Sequence, residues 1–134
     1  MSVGEPTRSS LLQPNTYGHL APRDVMNKVT IQTLHNLKSE RQKFAVVAAY
    51  DASFAKLLAE AGVDVILVGD SLGMTVQGHN TTVPVTIEDV CYHTEAVKRG
   101  NDSSLIIGDL PFMTYSSVAD ALLNSTKLMQ AGSH

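Results

Sequence analysis

Three short apolar runs, each ending at an Asp, constrain the fold of this chain more than any other feature. They are "KFAVVAAYD" at residues 43–51, "VDVILVGD" at residues 63–70 and "SSLIIGD" at residues 103–109. Segments with helical periodicity follow the runs, and strands that alternate with helices pair in parallel through right-handed crossovers. The sequence therefore predicts an α/β fold that is built from repeated βα units.

The helical segments carry their own start and stop signals. Helix caps are predicted at Thr30, Asp51, Thr86 and Ser117, and Asp89 and Asp120 complete capping boxes for the last two. The predicted apolar faces are Ile31, Leu34 and Leu37; Phe54, Leu57, Leu58 and Ala61; and Ile87, Val90, Cys91, Thr94 and Val97. The last helix is expected from about Val118 to Ala131, with Gly132 as its stop signal.

Composition narrows the range of partners. The chain is 43% hydrophobic and has a net charge of −3, which favours a packed core and argues against nucleic acid as a partner. Its apolar runs are too short to span a membrane, and a single cysteine fits a cytoplasmic protein. Residues 1–24 contain no secretory signal and are expected to form a flexible tail, with residues 25–134 as the folded part.

Two of the Asp residues at strand ends suggest a shared site. Asp70 and Asp109 each follow a Gly at the carboxyl end of a predicted strand, which is where α/β folds bind ligands. Two converging carboxylates suit Mg²⁺, and Ser71 adds a hydroxyl for a substrate oxygen. The alternative is that these Asp residues cap helices, as Asp51 is expected to do. The pattern alone leaves both interpretations open.

The other candidate residues favour structural roles. Residues 69–85 form a long connection without a predicted helix, and His79 within it is interpreted as a structural residue rather than a ligand. His93 lies on a predicted helix, and Cys91 falls on that helix's apolar face, so both are expected to be structural. The sequence has no nucleotide-binding glycine motif.

Several of these segments together resemble one enzyme family. The stretches "VGDSLGMTVQGH" at residues 68–79, "VPVT" at residues 83–86 and "GDLPFMTY" at residues 108–115 are similar to motifs of ketopantoate hydroxymethyltransferase. The similarity extends from about Val29 to His134. It implies a (β/α)₈ TIM barrel of the phosphoenolpyruvate/pyruvate type, of which this chain supplies the first three βα units.

The resemblance also implies a reaction and a set of site residues. Members of the family transfer a hydroxymethyl group from 5,10-methylenetetrahydrofolate to 3-methyl-2-oxobutanoate through a Mg²⁺-stabilised enolate, which gives 2-dehydropantoate for pantothenate synthesis. Asp70 and Asp109 match the metal ligands, and Asp70, Ser71 and Asp109 match residues that contact the keto acid. Tyr50 matches a position on the active-site wall. Full-length members form homo-oligomers, decamers in bacteria.

The same resemblance implies that part of the machinery lies outside this sequence. The family's general-base Glu, and a Lys and a further Glu of a "V-K-[LIV]-E-G-G" stretch, are expected beyond His134, and Glu60, Glu88 and Glu95 do not match them. The chain is therefore interpreted as an N-terminal portion that is inactive alone. The alternatives are a non-catalytic half-barrel that needs a complementary chain, and another Mg²⁺-dependent enolate enzyme of the same superfamily.

Overall fold

The computed structural model describes residues 28–134, in which helices and short strands alternate after a first helix. The elements are α1 (Ile31–Ser39), β1 (Val46–Ala48), α2 (Ala52–Glu60), β2 (Val65–Val68), α3 (Leu72–Thr75), α4 (Ile87–Gly100), β3 (Leu105–Gly108) and α5 (Val118–Ala131). The predicted tail at residues 1–24 lies outside the described residues.

The strands form one parallel sheet in the order β1-β2-β3. Val46 pairs with Val65 across the first ladder, and Val65 pairs with Leu105 across the second. The central strand β2 is the most deeply buried, with Ile66 and Val68 fully shielded from solvent. Strands that alternate with helices and pair in parallel confirm the predicted α/β class.

Local capping explains where the helices begin. The side chains of Thr30, Asp51, Thr86 and Ser117 each accept a hydrogen bond from a backbone N–H in the first turn, as predicted. A reciprocal capping box forms between Thr86 and Asp89. The box predicted at Ser117 is only half formed, because the Asp120 carboxylate accepts from the hydroxyls of Ser116 and Ser117 rather than from the backbone.

The predicted buried face of α2 was largely wrong, because only Leu58 of its four residues packs against the core. Phe54 and Leu57 are 61% and 60% exposed, while Ala55 and Ala59 are buried. The reason is the close approach of α2 to α4, where Gly100 packs against the backbone of Ala52. At such a short separation only small side chains fit between the helices, so the larger apolar ones turn outward.

The connection at residues 69–85 also differs from the prediction, because it contains the one-turn helix α3. This turn lacks a side-chain cap and is held by Leu72, which is fully buried beneath it. The helix α4 that follows buries Ile87, Val90, Thr94 and Val97, as expected, whereas Cys91 is only half-buried. In residues 28–134 no helix is both long and apolar enough to cross a membrane.

The last residues lie beside β3. Gly132 ends α5 in the left-handed conformation, with a φ of 118°, as its predicted stop role requires. The backbone N–H of His134 then donates to the carbonyl of Ile106 at 2.9 Å. The backbone after α5 therefore makes a hydrogen bond to β3, the strand whose other edge pairs with β2.

Candidate functional site

The three Asp residues that end the apolar runs lie at the carboxyl ends of the three parallel strands. Asp51 has the role that the sequence predicted for it, because its Oδ1 accepts from the backbone N–H groups of Ser53 and Phe54 at the start of α2. Its carboxylate is thus committed to capping a helix, which leaves the other two Asp residues as the candidates for a shared site.

Asp70 and Asp109 do not cap helices. Asp70 is half-buried between β2 and α3, and Asp109 is exposed directly after β3. Within residues 28–134 neither carboxylate makes a hydrogen bond or a salt bridge. The backbone N–H of Asp109 donates to the carbonyl of Val68 at 2.9 Å, so the β2–β3 ladder continues to this residue and holds it beside the end of β2.

Gly69 allows the Asp109 side chain to approach the chain just before Asp70. A Cβ atom at Gly69 would lie 3.3 Å from the Asp109 Cβ and 3.4 Å from its Oδ2. A glycine at this position therefore leaves room for the Asp109 carboxylate next to the backbone that carries Asp70. The two carboxylates belong to adjacent strand ends, as the sequence pattern predicted.

Ser71 is oriented by an aromatic residue from the neighbouring strand. Tyr50 follows β1, and its hydroxyl lies 2.8 Å from the Ser71 Oγ, so the two groups share a hydrogen bond. Both residues are half-buried. The hydroxyl of Ser71 is thus held next to Asp70, at the end of the sheet where the second carboxylate also lies.

This donor set fits Mg²⁺. Carboxylate oxygens are hard ligands, and Mg²⁺ is usually bound by one or two carboxylates, with water and substrate oxygens completing its octahedron. Among the described residues no group of three or more His, Cys, Asp or Glu side chains could hold a metal. Asp70 and Asp109 could supply two carboxylate ligands to such an ion, and water or substrate oxygens could supply the others.

The remaining candidates have no part in this arrangement. The His79 ring lies close to Gly73 on the exposed part of the connection, and its backbone N–H donates to the Gly73 carbonyl at 2.8 Å. Cys91 is half-buried against the core, and burial raises the pKa of its thiol, which opposes a nucleophilic role. The structural role predicted for Cys91 agrees with this position.

The sequence assigned His93 a structural role without identifying a partner. Its Nδ1 lies 2.7 Å from the backbone carbonyl oxygen of Tyr50, which is 43 residues away in the chain. No local pattern indicates this contact, because it depends on how α4 packs beside the end of β1. The sequence indicated only that His93 lies on a predicted helix, three residues after Val90 and four before Val97 of the predicted apolar face.

Comparison with known protein families matches residues 28–134 to the family described as ketopantoate hydroxymethyltransferase. The chain belongs to this family. The match spans every described element, from the residues before α1 to the end of the chain. It confirms the resemblance that the motifs at residues 68–79, 83–86 and 108–115 carry.

Individual members of the ketopantoate hydroxymethyltransferase family are highly similar to the chain. A 3-methyl-2-oxobutanoate hydroxymethyltransferase of Saccharophagus degradans is 57% identical over 107 residues, which are 80% of this chain and 40% of the relative. The enzyme of the same name from Marinobacter nauticus is 55% identical over 106 residues, 79% of this chain and 40% of the relative. The chain thus spans about 40% of the length of these curated relatives.

Proposed function

We propose that this chain forms the first three βα units of a (β/α)₈ barrel that transfers a hydroxymethyl group from 5,10-methylenetetrahydrofolate to 3-methyl-2-oxobutanoate, giving 2-dehydropantoate. Family membership and the name of the relatives support the reaction. The parallel order of β1, β2 and β3, with helices between them, supports the partial barrel. A cytoplasmic location and assembly into homo-oligomers, decamers in bacterial members, belong to the same proposal.

The observation that carries the proposal is the position of the Asp109 carboxylate against Gly69, directly before Asp70. We assign Asp70 and Asp109 as ligands of Mg²⁺ and Asp70, Ser71 and Asp109 as contacts of the keto acid. Bound Mg²⁺ would supply Lewis-acid polarisation of the keto acid's carbonyl oxygen. Ser71 would donate its hydroxyl proton to a substrate oxygen, and the Asp pair would orient the keto acid through the shared metal.

We assign none of the glutamates in residues 28–134 as the general base. Glu60, Glu88 and Glu95 are exposed on α2 and α4, and the resemblance assigns the base to a Glu beyond His134. We therefore expect the 134-residue chain alone to form no 2-dehydropantoate. Measurable product from the purified chain, with keto acid, folate and Mg²⁺ present, contradicts this expectation.

The metal assignment is tested with Mn²⁺, a paramagnetic ion that takes the same hard oxygen ligands. Mn²⁺ added to the ¹⁵N-labelled chain should broaden the backbone amide resonances of Asp70, Ser71 and Asp109 before others. Asp70→Asn and Asp109→Asn should each abolish this selective broadening. Asp51→Asn is the matched control, because Asn keeps the cap of α2 while it removes one carboxylate from the same sheet edge. Equal loss in all three variants contradicts the assignment.

A second candidate is a non-catalytic half-barrel that binds a complementary chain. The hydrogen bond from the His134 N–H to the Ile106 carbonyl supports it, because backbone can pair with β3 along the edge away from β2. Size-exclusion chromatography with a second polypeptide that covers the rest of the relatives' length tests this candidate. Co-elution that restores 2-dehydropantoate formation supports the enzyme, co-elution without activity supports the half-barrel, and separate elution contradicts the half-barrel. Another enolate enzyme of the superfamily is disfavoured by the family match.

A further inference from the structure

Tyr50 connects two neighbouring strand ends. It lies just past the β1–β2 ladder, where the Ala49 N–H donates to the Leu67 carbonyl at 3.2 Å. From there its side chain reaches the end of β2, where its hydroxyl lies 2.8 Å from the Ser71 Oγ. The direction of the Ser71 hydroxyl therefore depends on where the Tyr50 backbone and ring are held.

His93 makes a hydrogen bond to the Tyr50 backbone. Its Nδ1 lies 2.7 Å from the Tyr50 carbonyl oxygen. A carbonyl oxygen only accepts, so Nδ1 must carry the proton and the ring must be the Nδ1–H tautomer or the imidazolium. The His93 ring also meets the Tyr50 ring edge to face, with ring centres 6.4 Å apart and an angle of 83°. The His93 ring makes a similar edge-to-face contact with the Tyr92 ring, at 5.3 Å and 88°.

The helix that carries His93 is firmly anchored. Its first turn is closed by the Thr86–Asp89 capping box, with hydrogen bonds of 2.9 and 3.2 Å. Val90 and Val97, on the same helix, are completely buried against the sheet. A side chain on such a helix can hold a strand end in place, because the helix itself has little freedom to move.

We propose that His93 is a positioning residue that orients the Ser71 hydroxyl through Tyr50. The tyrosine hydroxyl is the stronger acid of the pair, so the favoured arrangement has Tyr50 donating to the Ser71 Oγ. The Ser71 proton then remains available for a substrate oxygen beside Asp70. The role of this proton rests on the proposed function, whereas the relay from His93 to Tyr50 to Ser71 is a property of the described residues.

The relay makes a spectroscopic prediction for the 134-residue chain. At neutral pH, ¹⁵N correlation spectra of the histidine side chains should show His93 protonated at Nδ1, which is the minor tautomer of free histidine. His93→Leu should shift the Tyr50 Cζ and the Ser71 Cβ resonances, and Tyr50→Phe should shift Ser71 Cβ in the same direction. An Nε2–H tautomer, or unchanged Ser71 resonances in His93→Leu, overturns the proposal.

A conservative variant separates positioning from packing. In His93→Asn the side-chain amide nitrogen is attached at the same position as Nδ1, so it can still donate to the Tyr50 carbonyl. We expect its Ser71 resonances to stay near those of the unmodified chain, while those of His93→Leu move. Equal shifts in both variants overturn the proposal. If His93→Leu does not fold, the other two readouts decide. An Nε2–H tautomer of His93 in the unmodified chain, or an unchanged Ser71 Cβ resonance in Tyr50→Phe, then overturns the proposal.

Binding of the keto acid distinguishes this inference from the proposed function. With Mn²⁺ present, His93→Leu should bind 3-methyl-2-oxobutanoate about threefold to tenfold more weakly, as expected for one misdirected hydrogen bond, and His93→Asn should bind normally. Unchanged affinity in His93→Leu overturns the role of the relay in substrate binding. If Mn²⁺ and keto acid do not bind the unmodified chain but the resonances behave as predicted, the proposed function fails and the relay stands.

Discussion

Gly69→Ala should weaken metal binding by displacing the Asp109 carboxylate. The new methyl group would lie 3.3 Å from the Asp109 Cβ and 3.4 Å from Oδ2. Ordinary carbon contacts lie at about 3.5–4.0 Å, so the Asp109 Cβ, at 3.3 Å, must move away by at least about 0.2 Å. Metal–ligand distances tolerate deviations of about 0.2 Å. The expected displacement of the Asp109 side chain is thus at least as large as this tolerance, so we expect weaker Mg²⁺ binding.

The expected loss is about tenfold to hundredfold in affinity, the range found when residues that orient metal ligands are changed. That range corresponds to about 1.4–2.7 kcal/mol of binding free energy. The dissociation constant of Mn²⁺ is measured from the broadening of the Ser71 amide resonance during a titration. The remaining amide spectrum reports in the same experiment whether the variant is folded.

Gly108→Ala is the matched control. A Cβ at Gly108 would be equally crowded, at 3.1 Å from the Ser133 Cβ and 3.3 Å from the Leu128 Cδ2. Successive side chains of a strand point to opposite faces, so this methyl group faces away from the side on which Asp109 projects. Affinity within twofold of the unmodified chain for Gly69→Ala, or an equal loss for Gly108→Ala, would refute the reasoning.

Three further predictions concern stability. Thr94→Val should raise the free energy of unfolding by about 1 kcal/mol in urea denaturation, because the Thr94 Oγ1 is buried without a hydrogen-bond partner among the described residues. A lower free energy of unfolding in Thr94→Val would contradict this explanation. Gly100→Ala should cost about 2–3 kcal/mol in the same assay, since its Cβ would clash with the Ala52 carbonyl oxygen. Hydrogen bonds from Thr86 lower the pKa of Asp89 below its usual value of 3.8, so the stability that this carboxylate provides is present above that value and is lost as pH falls through the lowered pKa. Denaturation from neutral pH to about pH 3 should show that Asp89→Asn loses less stability on acidification than the unmodified chain.

Much of the candidate site could be predicted because it depends on strand ends. Parallel pairing brings the residues that follow neighbouring strands to one edge of the sheet, so Asp70 and Asp109 could be placed together from the sequence. The pattern could not decide between metal ligands and helix caps. The structure removes the capping alternative, since neither carboxylate caps a helix, whereas the metal assignment remains a prediction.

The sequence alone determined the features that depend on neighbours within a few residues. Helix starts at Thr30, Asp51 and Thr86 follow from hydrogen bonds that span two or three residues, and Gly132 ends α5 through its own backbone angle. The order of strands and helices follows from apolar periodicity. These features can be predicted from the sequence because the interactions that produce them are local.

The tertiary structure alone decided which side chains meet across the fold. Ala55 rather than Phe54 is buried because α2 and α4 approach closely at Gly100, and this separation is set by the packing of the whole layer. The contact between Tyr50 and Ser71 spans 21 residues, and that between His93 and Tyr50 spans 43. Such pairs leave no trace in local periodicity, because packing of separate elements, rather than chain proximity, brings them within hydrogen-bond distance.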